Sequence, residues 1–356
     1  MKEHFHLKGL DGLRAVAAVA VVISHIELIK KGNKLSNYSS HIENWGNLGV
    51  VLFFVLSGFL ITTLLLKEKK SENSINLKYF YLRRILRIWP LYFLILMLSA
   101  YIFNYSPSWL TLLLCSTIFP NFAHALASGW TVSPQIWSIG VEEQFYLFWP
   151  TILKQKHKTV ILFCVLFIFI YPFFPHIIQF SLNKLGHSSN TLKLVEKIME
   201  VLNFNAMATG ALFSILYFQK NKFFNKLINL SKILNYAVVI FTLILWFSSF
   251  NFGFYQIPLF SFLFAIMIVL IINGTLTSYF EIKALRFLGK ISYGIYMYHW
   301  IILLLLMKLL KPKFNQSILI PNILMYSSVI ILTILAAFLS YELFEKKFLK
   351  LKSRLN

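Results

Sequence analysis

The chain has 356 residues, of which 58% are hydrophobic, 17% aromatic and only 13% charged, with a mean hydropathy of +0.69. A typical soluble domain carries about 25% charged residues, so a water-soluble enzyme is excluded, as are disordered, collagen-like and disulfide-stapled classes. The net charge of +21 sits in short clusters between apolar runs, which suits topology-setting residues beside an anionic cytoplasmic leaflet rather than a nucleic-acid surface. Cys115 and Cys164 both fall in apolar stretches and indicate neither a disulfide framework nor a metal site.

A helix needs about 20 mostly apolar residues to cross the hydrocarbon core. Ten stretches come close: 10–29, 47–66, 85–103, 137–153, 159–177, 201–218, 233–250, 257–275, 291–310 and 321–344. The first carries Arg14 and lacks a small-residue cleavage site, so it is no signal peptide. An eleventh stretch, 108–122, is short and lies between Pro107 and Pro120, as a re-entrant or interfacial segment would. Ten spans with a cytoplasmic N-terminus put 24 Lys and Arg residues inside and 9 outside; an eleventh span would reverse that excess. The positive-inside rule therefore predicts about ten transmembrane helices with both termini cytoplasmic. The stretch 104–136 becomes a long outside loop, folded back on the bundle because structureless loops of that length are rare. The fold class expected is an all-α polytopic membrane protein. Residues 1–356 are expected to form a single membrane domain with no appended soluble domain.

Ionisable groups inside spans are functional suspects. The first span contains Arg14 and His25. Eleven residues at 100° each make three turns plus about 20°, so both lie on one helix face, about 16 Å apart along the axis. Taken singly, each has a bland reading: a snorkelling anchor and a satisfied core histidine. At the third span, RRILR places Arg83, Arg84 and Arg87 at the expected helix start, below Pro90. Arg84 and Arg87 are i, i+3 neighbours able to meet one ligand. Guanidinium forks suit phosphate, so a cytoplasmic anion site for a phosphorylated cofactor competes with simple topology-setting.

Glu142 and Glu143 lie in the fourth span, at the expected depth of His25. Being adjacent, they point about 100° apart, so at most one faces a given partner. One of them could orient the imidazole or accept a proton itself; a structural ion pair is the alternative. Ser24, Ser57, Ser138 and Gln144 could hydrogen-bond in the same cavity. His299, among Tyr293, Tyr296 and Tyr298, reads as packing or cavity lining rather than chemistry. His41, His124, His176 and His187 lack metal-ligand spacing, and no metal is expected.

Six segments in order over about 340 residues carry a resemblance: LDGLRAVAAVAVVISH at 10–25, FFVLSGFLIT at 53–62, RRILR at 83–87, WSIGVEEQFYLFWP at 137–150, LGKISYGIYMYHW at 288–300 and SYELFEKKF at 340–348. Together they resemble membrane-bound acyltransferase family 3, which includes bacterial O-antigen and other surface-glycan O-acetyltransferases. Lys347 departs from it, standing where the family often has proline, and the C-terminal esterase-like domain of some members is not seen. The resemblance implies transfer of an acyl group, acetyl foremost, from cytoplasmic acetyl-CoA to a hydroxyl of a periplasmic or lipid-linked polysaccharide such as O-antigen. The expected location is the bacterial inner membrane. In that reading Arg14, Arg84 and Arg87, with Arg83 beside them, hold the CoA phosphates. His25, assisted by Glu142 or Glu143, deprotonates the sugar hydroxyl; a covalent acyl-histidine is the other route. The competing class is a transporter or flippase, although the sequence lacks repeat symmetry and paired broken helices.

Overall fold

The computed structural model describes residues 7–35, 42–184, 189–220, 222–228, 231–248, 250–315 and 319–353, and among these every regular element is helical. Among the described residues seven helices are long and apolar enough to cross a membrane: Leu10–Gly32, Glu43–Glu72, Leu77–Phe103, Lys193–Phe218, Gly253–Ile272, Ser292–Phe314 and Leu319–Leu351. A pair bent by 52°, His157–Phe173 with His176–Leu182, would make an eighth. Pro172 sits at that bend, where a missing N–H and the ring clash break the helix. The two other expected spans are helical but fall short. Residues 137–153 lie in an 18-residue helix carrying Glu142, Glu143 and Lys154. Residues 233–250 correspond to a 16-residue helix, about 24 Å long at 1.5 Å per residue.

The chain divides into two units, Met1–Leu56 with Ile215–Leu339 and Ser57–Ser214 with Ser340–Asn356. In the first unit, α1 (Leu10–Gly32) is the central element. Its Gly9 entry has φ of 86°, a left-handed conformation that glycine adopts without strain, and the Gly9 N–H donates to Glu281 at 2.6 Å. Ala15, Ala17, Ala18 and Ala20 are buried and point to different sides of the helix, small residues of the kind that let membrane helices approach closely. A Cβ on Gly12 would meet the Phe280 carbonyl at 2.2 Å, and one on Gly289 the Asp11 carbonyl at 1.9 Å. These approaches lock α1 onto the short helices Thr277–Phe280 and Lys283–Lys290, which precede α16 (Ser292–Leu310).

The sequence ends the first span at 29; the structure continues α1 to Gly32. Glu27 and Lys30, one turn apart, form a fully buried ion pair at 2.5 Å, and Tyr326 donates to the same carboxylate. Mutual neutralisation and that hydrogen bond keep the turn helical where the charges suggest a loop.

In the second unit, α3 (Leu77–Phe103) begins eight residues before the expected span, capped by Asn76, whose side chain accepts the Tyr79 N–H at 3.1 Å. The RRILR segment is therefore inside the helix rather than at its mouth. The doubtful stretch 108–122 is not one membrane-length helix: it forms α4 (Trp109–Cys115) and the start of α5 (Pro120–Ala125). It folds back as expected. Tyr92 of α3 donates to the Cys115 carbonyl at 2.7 Å. Gln144 of α6 (Trp137–Lys154) donates to Ile118 at 2.7 Å and Asn121 at 2.8 Å. Gly140 admits Pro120, which a Cβ there would meet at 2.7 Å. The expected loop 178–200 is instead largely helical, Phe174–Lys184 and Ser189–Leu202. Leu194, Val195, Ile198, Val201 and Leu202 recur at helical spacing, which outweighs the three lysines.

Candidate active site

Each unit has its own polar interior. In the first, α1 runs unbroken from Arg14 to His25, so the eleven-residue register holds and both residues share a face, about 16 Å apart. Both are partly exposed. The Nδ1 atom of His25 lies 2.7 Å from Nε2 of His299 on α16. The two rings are nearly parallel, at 10° with centroids 5.0 Å apart. His299 is fully buried, and its Nδ1 lies 2.6 Å from the Tyr296 carbonyl, one turn back on the same helix.

These contacts determine the proton positions of two neutral rings. A carbonyl only accepts, so His299 must carry its proton on Nδ1 and donate it to Tyr296. His299 Nε2 is then an acceptor, and His25 must donate from its own Nδ1. The remaining nitrogen, His25 Nε2, has a free lone pair. The chain of Tyr296 carbonyl, His299 and His25 therefore presents a base.

Trp300, the next residue on α16, forms the second wall. Its ring meets that of His25 edge to face, with centroids 5.0 Å apart at 83°. The sequence reads His299 as packing or cavity lining. It is the partner of His25, and the clue available was its place in a helix whose apolar run is interrupted by tyrosines.

The second unit holds the carboxylates and the arginine cluster. Ser57 donates to Glu142 at 2.7 Å, and Tyr146 donates to its other oxygen at 3.3 Å. Trp89 donates to Glu143 at 2.8 Å. The expected 100° divergence is visible: neighbouring carboxylates have different donors. Arg84 lies over the Tyr146 ring at 5.6 Å, within the electrostatic reach of Arg87, Glu142 and Glu143. Arg87 in turn lies within the field of Glu345, which accepts from Ser340 at 3.2 Å on a π-helical turn, Tyr341–Glu345. Arg83 pairs with Glu68 at 2.9 Å. The arginines and glutamates thus meet within one interior, because α3 extends below the expected span and presents Arg84 to α6.

Of the other suspected side chains, Ser57 joins the cluster. Ser24 donates to the Glu43 carbonyl, Ser138 to Gln135, and Gln144 to the folded-back segment. Ser57, Tyr146, Trp89 and His299 are the polar partners that sequence reasoning did not single out as a set. Glu143 also lines a narrow cleft with Trp89, Tyr92, Ile118, Pro120 and Gly140. Burial pushes the Cys115 thiol in α4 up to about 11, so it stays protonated near neutrality and is a poor nucleophile. Among the described residues no group of three or more His, Cys, Asp or Glu could hold a metal. His124 stacks on Trp137, and His41 and His187 lie outside the described residues.

A family model described as "Acyltransferase domain" matches residues 7–342. The peptidoglycan O-acetyltransferase OatA of Listeria monocytogenes is 33% identical over 171 residues, covering 44% of this chain and 25% of its own. A Staphylococcus aureus protein with a provisional O-acetyltransferase name is 32% identical over 183 residues, 45% of this chain and 26% of its own. Bacillus subtilis YrhL, provisionally named a peptidoglycan O-acetyltransferase, is 31% identical over 177 residues, 43% of this chain and 24% of its own. The matched region spans about a quarter of the length of these relatives. No solved structure matches the chain. With the family model covering nearly the whole of a chain built from membrane-length helices, this protein belongs to membrane-bound acyltransferase family 3.

Proposed function

We propose that the protein transfers an acyl group, acetyl foremost, from acyl-CoA to a hydroxyl of a surface polysaccharide such as O-antigen, from within the bacterial cytoplasmic membrane. The names of its relatives add peptidoglycan to the candidate acceptors. The observation that carries this reading is the hydrogen-bonded chain from the Tyr296 carbonyl through His299 to His25, which leaves His25 Nε2 free as a base. A positioned base is what removing a proton from an attacking sugar hydroxyl requires. The hydroxyl oxygen attacks the thioester carbonyl carbon, the C–S bond breaks, and the departing thiolate receives the proton from His25.

In this assignment Arg14, Arg84 and Arg87 bind donor phosphates through charge-assisted hydrogen bonds. Arg83, already paired with Glu68, has the smallest share. Glu142 and Glu143 serve the same proton transfer as His25, and both chain termini are cytoplasmic.

The test is purified protein in liposomes supplied with acetyl-CoA and an isolated glycan, O-antigen in one arm and peptidoglycan in the other. Release of free CoA together with ester on one glycan is the expected outcome. Uptake of glycan or anion without ester would instead establish a transporter.

A further inference from the structure

Four tryptophans are buried among the described residues: Trp130, Trp149, Trp246 and Trp300. The first three donate their indole N–H, to Ser99 at 3.0 Å, Thr62 at 2.8 Å and the Trp45 carbonyl at 3.1 Å. Trp300 is only 7% exposed, yet its indole nitrogen has no hydrogen-bond partner among the described residues. A buried donor left unpaired is costly, and such a group in a folded protein calls for a reason. Its surroundings supply one, because the ring stands edge to face against His25 at 5.0 Å.

We propose that the Trp300 N–H is an oxyanion donor, binding the carbonyl oxygen of an acyl thioester whose carbonyl carbon is attacked beside His25. The inference rests on the proposed role of His25 as base. The α16 backbone presents two consecutive residues to one imidazole. His299 hydrogen-bonds to it and sets its tautomer; Trp300 stands perpendicular to it. When the acceptor oxygen adds to the carbonyl carbon, the carbon–oxygen π pair moves onto oxygen, and the proton from the acceptor moves to His25 Nε2. The negative oxygen then accepts the Trp300 N–H. Collapse restores the carbonyl, expels the thiolate and returns the proton from His25 to sulfur. Trp300 neither gains nor loses a proton. A neutral donor held rigid in a site of low dielectric, without a competing partner, stabilises charge that exists only in the transition state. The indole N–H has no acceptor capacity, so it cannot be diverted as a base.

Trp300→Phe removes the N–H and keeps an aromatic edge against His25. We expect kcat to fall about 10²–10³-fold, the range for losing one oxyanion donor, with KM for acetyl-CoA and the melting temperature unchanged. A benzothienyl-alanine at position 300, which replaces N–H by sulfur at nearly constant shape, should reproduce the loss and separates it from any packing defect caused by Phe. Full kcat in the benzothienyl protein would overturn the proposal, as would a loss confined to KM. His25→Gln is run alongside. If that variant keeps activity, the reading of His25 fails; if it is inactive while the benzothienyl protein is fully active, only the role of Trp300 fails.

Discussion

The polar clusters around the candidate site residues, one in each unit, are built by opposite means. The first joins two neutral imidazoles and a backbone carbonyl in one directed chain, with no charged group among its hydrogen-bonding members. The second gathers Arg84 and Arg87 with Glu142, Glu143 and Glu345, so that unlike charges share one interior. A directed neutral chain specifies which nitrogen carries a proton, a property useful to a base and unnecessary for a mere structural contact. A cluster of unlike charges offsets the desolvation of its members. It also presents guanidinium groups to which a further anion can bind. Under the proposed function the neutral chain would serve proton transfer and the arginines of the charged cluster would hold the anionic donor.

The sharpest way to break this comparison is at His25. His25→Gln keeps an amide that can donate towards His299 but cannot take up a proton at neutral pH. Loss of a positioned base predicts a roughly 10²–10⁴-fold fall in transfer rate. Binding of acetyl-CoA, measured calorimetrically on the same preparation, should stay within about twofold because the phosphates are assigned to the arginines. Normal transfer by a well-folded His25→Gln protein would remove the chemistry from the first unit.

His299 comes next. In His299→Phe the His25 Nδ1–H loses its acceptor. An unmet buried donor costs about 1–3 kcal/mol, so a 5- to 150-fold fall in kcat is expected, with His25 free to adopt the wrong tautomer. His299→Gln, whose side-chain oxygen can accept that proton, should recover part of the rate. Equal losses in Phe and Gln would point to packing alone.

The smallest and most specific effect belongs to the second unit. Arg87→Ala should weaken acetyl-CoA binding roughly tenfold to hundredfold, from about 1.5–3 kcal/mol for a charged hydrogen bond, with kcat at saturating donor nearly unchanged. Arg87→Lys should restore only part of it, since lysine supplies charge without the planar fork. Unaltered donor affinity in Arg87→Ala would leave the cluster a purely structural ion network.

Much of the fold was legible without coordinates. Apolar runs near membrane length announced an all-helical membrane chain, and the shortness of proline-bounded 108–122 together with the Lys and Arg distribution favoured a folded-back segment. The eleven-residue interval from Arg14 to His25 needed only an unbroken helix to become a shared face, and α1 provides one. Local sequence could also state that Glu142 and Glu143 diverge, because helical geometry alone separates adjacent residues by about 100°.

What tertiary structure decided was partnership. Hydropathy counts a lysine as a loop signal, so it could not foresee that Lys30 is buried because it pairs with Glu27, whose carboxylate also accepts from Tyr326. Nor could it foresee that α3 begins at Leu77 and brings Arg84 over Tyr146. The contact between His25 and His299 joins residues 274 positions apart. It exists because glycine and alanine let α1 sit tightly on the helices that lead into α16. A histidine's tautomer depends on the neighbour that each nitrogen meets, and for His25 only folding could choose that neighbour.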